Sequence, residues 1–134
     1  MSKRIVTTLA IVFSMAFSSM AAAANGQPIS HAQLEVMFKN MRAGAPWNVD
    51  GPLLWGYFFT NKQKAPLEDA AKVLAARGYR VVEIYRNGKA WWLHVEKVER
   101  HTVDSLDERN AEFYAFAKQQ GLESYDGMDV GPAS

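Results

Sequence analysis

The hydrophobic pattern of this chain changes period several times, and each change marks an element. From Ser30 to Gly44, the apolar residues Leu34, Met37, Phe38 and Met41 recur at helical spacing, and Gly44 and Pro46 end the run. Ser30-His31-Ala32-Gln33 has capping-box spacing, which lets the serine hydroxyl and the glutamine amide satisfy free N–H groups. The pattern predicts a helix that buries its Met-bearing stripe and leaves His31 exposed in the first turn. From Leu53 to Thr60 the period is lost, because LLWGYFFT is apolar on both alternating sets. Such a run predicts a central strand covered over most of both faces. Gly56 within it predicts a bulge or a close backbone approach. Helical spacing returns in Leu67, Ala70, Ala71, Leu74 and Ala75, with Pro66 at the start and Gly78 placed as a left-handed cap.

Tyr79 to Glu99 then reads as a β-hairpin around Asn87-Gly88, two residues that tolerate positive φ. With those two as the loop, Ile84 faces Trp91, Glu83 faces Trp92 and Val82 faces Leu93. Alternation then sorts the hairpin into two faces. Val82, Ile84, Trp91, Leu93 and Val95 form an apolar face suited to a core. Val81, Glu83, Tyr85, Trp92, His94 and Glu96 form a mixed face. Beyond it, Thr102 or Asp104 caps a longer helix to about Gln120, carrying Leu106, Phe113, Phe116 and Ala117 on one side. Gly121 ends that helix, Leu122 to Asp126 is a short closing strand, and the remainder is expected to be a loosely held tail.

An extra helix followed by strand, helix, strand, strand, helix, strand predicts an α+β, ferredoxin-like two-layer sandwich. It has a four-stranded antiparallel sheet with two helices on one face. The organisation expected is a leader over 1–24, an N-terminal helix and loop over 25–52, the ferredoxin-like domain over 53–127 and a flexible tail over 128–134.

The leader changes the charge and the compartment. Lys3 and Arg4, the apolar run Ile5 to Phe17 and the small residues Ala21 to Ala24 have the layout of a cleaved secretory signal peptide. The run is about 13 residues, short of the roughly 20 that cross a bilayer. The expectation is a periplasmic or secreted protein with no membrane anchoring after cleavage. Without Lys3 and Arg4 the 15 basic residues become 13 against 14 acidic ones, so the formal charge goes from +1 to −1. Near-neutrality with mixed signs argues against nucleic acid as a partner. Absence of cysteine excludes disulfides, thiol catalysis and a lipoprotein anchor.

Catalytic motifs are scarce. His31, His94 and His101 show no metal-ligand spacing, no glycine-rich phosphate loop occurs, and no serine lies in a nucleophile elbow. No cofactor and no metal site is therefore expected. His94 stands on the mixed face with Glu83 and Glu96, an arrangement that permits an acid–base pair but lacks a nucleophile. A small enzyme using His94 and Glu96 is the minor reading, and a surface histidine is the simpler one. Tyr85 and Trp92 on the same face are the usual residue types of protein-interface anchors. Tyr85, Trp92, His94, Glu83 and Glu96 are thus the partner-binding candidates, unless the N-terminal helix packs over them.

Ala76-Arg77-Gly78-Tyr79 before the hairpin, the helix Asp104 to Gln120, and the strand ending Tyr125-Asp126-Gly127 resemble the regulator of ribonuclease E activity B (RraB) family. The resemblance covers roughly Leu53 to Gly127. It implies a ferredoxin-like fold and a non-catalytic module that inhibits by masking a partner protein's surface, ribonuclease E in the best-known, cytoplasmic members. It also implies a structural role for Tyr125, Asp126 and Gly127, the last two making a turn. This chain has Met128 where the family pattern has Trp, and it lacks the acidic tail of the best-known members. With the leader, the same small fold also suits a periplasmic immunity-type inhibitor of a secreted toxin. The oligomeric state is left open.

Overall fold

The computed structural model describes residues 28–133, so the leader lies outside the described residues. The elements are α1 (His31–Gly44), β1 (Leu53–Asn61), α2 (Lys64–Ala76), β2 (Arg80–Asn87), β3 (Ala90–Glu99), α3 (Val103–Gln119) and β4 (Ser124–Pro132). Local chemistry sets the helix ends. Both halves of the Ser30/Gln33 capping box are formed, and Thr102 with Ser105 makes a second one at α3. Pro66 lies in the first turn of α2, where backbone N–H groups have no helical acceptor. After α2, Gly78 takes φ +94 and the Tyr79 N–H reaches back to the Leu74 carbonyl at 3.1 Å. Gly121 and Leu122 close α3 in the same way. In both motifs the residue after the glycine is buried, Tyr79 and Leu122, which ties the cap to the core.

The sheet order is β2-β3-β1-β4 with every neighbouring pair antiparallel, the ferredoxin-like arrangement. Trp55, Tyr57 and Phe59 of β1, Leu93 and Val95 of β3 and Tyr125, Met128 and Val130 of β4 point into one core with α2 and α3. The N-terminal helix joins the same layer. Leu34, Met37, Phe38 and Met41 enter that core, Phe38 stacks on Trp55 at 6.1 Å, and the Ile29 N–H donates to the Tyr114 hydroxyl of α3 at 3.0 Å. His31 is exposed as expected and contacts Asp104 at 2.9 Å. Hence α1 widens the helical layer and leaves the opposite sheet face uncovered. β1 is central, but only one of its faces lies under helices; Leu54 and Phe58 on the other are half-buried by neighbouring strands.

Three sequence expectations change. The hairpin loop is Gly88-Lys89, with Asn87 paired to Ala90, because Gly88 alone (φ +66) supplies the positive φ that this turn needs at its first central position. Moving the loop by one residue preserves parity, so Glu83, Ile84, Tyr85 and Trp91 to Glu96 keep their predicted faces. The pairs become Ile84–Leu93, Tyr85–Trp92 and Glu83–His94. A bulge between Val81 and Glu83 then sends Val81 to the core side opposite Val95 and leaves Val82 unpaired, reversing the prediction for those two valines. Finally, β4 runs to Pro132 and buries Met128 and Val130, so residues 128–132 belong to the sheet and not to a loose tail.

Candidate functional site: the open sheet face

The face away from the helices carries a connected strip of rings. Tyr85 and Trp92, cross-strand partners, stack with centroids 6.2 Å apart and planes 14° apart. Phe58 meets the edge of Trp92 at 6.4 Å and stacks on His94 at 4.3 Å. All four side chains are half-buried by one another and by the sheet floor. Gly56 makes the end of this strip possible. A β-carbon there would overlap Asp129 Oδ1 and stand 2.8 Å from His94 Nε2, so the two side chains lean over the bare backbone of β1. The close approach predicted for Gly56 is one of side chains onto backbone.

Carboxylates surround the rings. Glu83 lies directly opposite His94, Glu96 opposite Gly56, and Asp129 on the far side of Gly56. Asp126 sits at the irregularity where β4 slips past Phe58 and Phe59, its carboxylate accepting a hydrogen bond from the Ser124 hydroxyl at 3.2 Å. Arg80 is the basic residue that the register places on this face, and it is bound to Glu96. Burial pushes the Asp129 carboxyl up to about 6, helped by the charge of Glu96 and opposed by backbone N–H groups of Asp129 and Gly56. Burial likewise raises Asp126. Burial and then the charge of Arg80 push His94 down to about 4, so its imidazole is neutral near pH 7. Its Nε2 has no hydrogen-bond partner.

A second polar cluster lies inside the helical layer. The Tyr57 hydroxyl donates to Glu99 Oε1 at 2.8 Å and is 3.1 Å from His101 Nε2, while His101 Nδ1 is 2.9 Å from Ser105 Oγ. Arg109 of α3 pairs with the other Glu99 oxygen. Burial raises the Glu99 carboxyl, but hydrogen bonds from His101 and Tyr57 and the charge of Arg109 prevail and hold it at about 2. This cluster fastens the end of β3 to α3. Tyr125 fastens β4 in turn, its buried hydroxyl donating to Asn110 Oδ1 at 2.6 Å.

Residues 31–130 match the family described as regulator of ribonuclease activity B, RraB. The chain belongs to the RraB family. The match begins with α1 and reaches into β4, so the helix that widens the layer is part of the RraB unit. A comparison with curated proteins finds no match.

In this RraB fold Tyr85, Trp92, His94, Glu83 and Glu96 share the open face. Glu96 is engaged by Arg80, and His94 Nε2 makes no hydrogen bond to either glutamate. Tyr125 is buried with its hydroxyl on Asn110, whereas Asp126-Gly127 makes a kink within β4, Gly127 at φ +110, and not a turn. Sequence reasoning missed Phe58, Asp126 and Asp129 as members of the face. It also missed the Tyr57–Glu99–His101–Arg109 cluster. Phe58 was legible from alternation along β1; Asp129 was hidden by the expectation of a tail. Among the described residues no group of side chains could hold a metal ion, and no helix is long and apolar enough to cross a membrane.

Proposed function

We propose that this protein is an exported, non-catalytic regulator that binds a protein partner through the open sheet face and masks that partner's surface. Membership of the RraB family supports the regulatory role. The observation that carries the site is the uncovered Tyr85–Trp92–Phe58–His94 strip: large rings at an open face are the usual anchors of an interface. Export rests on the basic, apolar and small-residue pattern before Asn25. That pattern favours a partner outside the cytoplasm, where an immunity-type role against a secreted toxin is the second reading.

Two measurements test this. Purified protein is added to ribonuclease E cleaving a fluorogenic RNA, beside a Tyr85→Ala, Trp92→Ala double variant whose circular dichroism matches wild type. Inhibition by wild type with its loss in the variant would assign masking of a ribonuclease to this face. Equal inhibition by both removes the face as the site, and no inhibition by either removes this ribonuclease as the target. Mass spectrometry of the protein from its native host should find an N-terminus near Ala24 or Asn25. An intact Met1 in the cytoplasmic fraction refutes export.

A further inference from the structure

We propose that the open face receives a basic segment of its protein partner, an arginine side chain lying on the Tyr85, Trp92 and Phe58 rings and held by the surrounding carboxylates. This rests on the open face being the partner site and names the chemistry it selects. The charge on the face is one-sided. Glu83, Glu96, Asp126 and Asp129 all border the strip, and the one arginine among them, Arg80, is taken up by Glu96. Among the described residues no cation pairs with Glu83, Asp126 or Asp129. Asp126 and Asp129, desolvated and without counter-charges, gain from an arriving guanidinium, which brings both charge and fixed N–H donors, while Glu83 stands exposed beside them. The rings supply the second half of the match. Tyr85 and Trp92 hold their ring planes near-parallel, and a planar guanidinium stacks on an aromatic ring face where a compact ammonium does not. His94 Nε2 lies buried beside Asp129 over Gly56 without a hydrogen-bond partner, so it offers Asp129 no counter-charge.

The same charges discriminate against the other occupants of an aromatic sheet face. RNA bases stack on such rings, but the phosphates would then lie against Glu83, Asp126 and Asp129. A second copy of this chain would set the same carboxylates against one another across a two-fold axis. A basic polypeptide meets neither repulsion.

The test uses the intact chain, isotopically labelled, and a short peptide of alternating arginine and glycine. The control is the same peptide with citrulline, which keeps the planar group and removes the charge. Expected are shifts at the Trp92 indole and the Gly56 and Gly127 amides with the arginine peptide, and binding at least about tenfold weaker with citrulline. Glu83→Gln combined with Asp126→Asn, folded by circular dichroism, should weaken the arginine peptide comparably and flatten its salt dependence. Equal binding of the two peptides, shifts confined to the helical layer, or tighter binding of an oligouridylate would each overturn the proposal. If one of these occurs while the Tyr85/Trp92 variant still loses inhibition, the face remains the partner site and only the arginine chemistry falls. If that variant keeps full inhibition, the site itself has failed.

Discussion

Asp129→Asn should stabilise this protein at neutral and alkaline pH and do almost nothing in acid. The carboxyl is nine-tenths buried on β4, and burial raises it from the ordinary 3.8 to about 6. A carboxyl raised in the folded state contributes stability that is complete below its unfolded value, near pH 3.8, and is lost as pH rises through about 6. At pH 8 the native chain therefore carries the whole cost of an ionised, poorly solvated group. The difference between 3.8 and about 6 corresponds to about 3 kcal/mol at most. Asparagine keeps an oxygen for the N–H groups of Gly56 and residue 129 and has no charge at any pH. Urea unfolding followed by tryptophan fluorescence should show the variant about 2–3 kcal/mol more stable at pH 8 and within about 0.5 kcal/mol of wild type at pH 4. The competing physics is an ion pair over Gly56 between an ionised Asp129 and a protonated His94. That pair would make the carboxylate stabilising, and Asp129→Asn would lose stability at neutral pH. A variant less stable than wild type at pH 8 refutes the reasoning.

Other outcomes follow from the same geometry. Leu93→Ala empties a fully buried position facing Phe59 and Ile84 and should cost about 2–5 kcal/mol; Val81→Ala, on the same core side but half-buried at the sheet edge, should cost about 1 kcal/mol, and equal denaturation midpoints would contradict the difference in burial between the two positions. Gly56→Ala drives a methyl into Asp129 and His94 and should destabilise by about 1–3 kcal/mol, with a thermal scan as the readout. Glu99, held at about 2 against an ordinary 4.5, contributes stability present above pH 4.5 and lost as pH falls through about 2. Removing that carboxylate with Glu99→Gln should flatten the acid limb of the stability–pH curve and cost about 2 kcal/mol at pH 7, allowing for its partial solvation; an unchanged acid limb would mean the cluster is not ionised.

Much of the fold was legible because its signals are local. Ser30-x-x-Gln33 and the glycines at 78 and 121 fixed helix ends through one or two backbone hydrogen bonds each. Heptad-like and alternating apolar spacing did the rest. What was misread depends on relations between strands. Asn87-Gly88 is a turn signal, yet which residue occupies the first central position is decided by the pairing of Tyr85 with Trp92 and Ile84 with Leu93. The bulge at Val82 has no residue signature in a run of β-branched residues. β4 was cut short at Asp126 because Gly127, Gly131 and Pro132 read as tail, whereas Met128 and Val130 pair with Tyr57 and Trp55 and are buried by them. Asp129 was lost with that strand, and with it the one carboxylate whose environment is most perturbed on the face.

The position of α1 decides how stability and recognition are divided in this fold. Its apolar stripe is large enough to have covered the open face, and Phe58, Trp92 and Tyr85 would have given it rings to pack on. Instead Phe38 meets Trp55, and α1 lies beside α3. Each side of the sheet then has its own logic. On the helical side Tyr57, Glu99, His101 and Arg109 are each joined to another member of the cluster by a hydrogen bond or ion pair, so removing one member leaves a desolvated charge behind. Arg109 Nε alone among their polar atoms is buried and unpartnered. On the open side Asp126 and Asp129 are desolvated without a counter-charge, and His94 is desolvated without a hydrogen bond at Nε2. Chains accumulate stabilising substitutions readily, so a residue that costs stability in a buried position calls for a reason other than folding. Here the same residues would gain from a bound cation. Substitutions at Glu99 or Arg109 should therefore weaken the fold, and recognition would follow only through unfolding. Asp129→Asn separates the two properties: a protein made more stable at pH 7 that binds an arginine peptide less well places the cost and the use on one side chain.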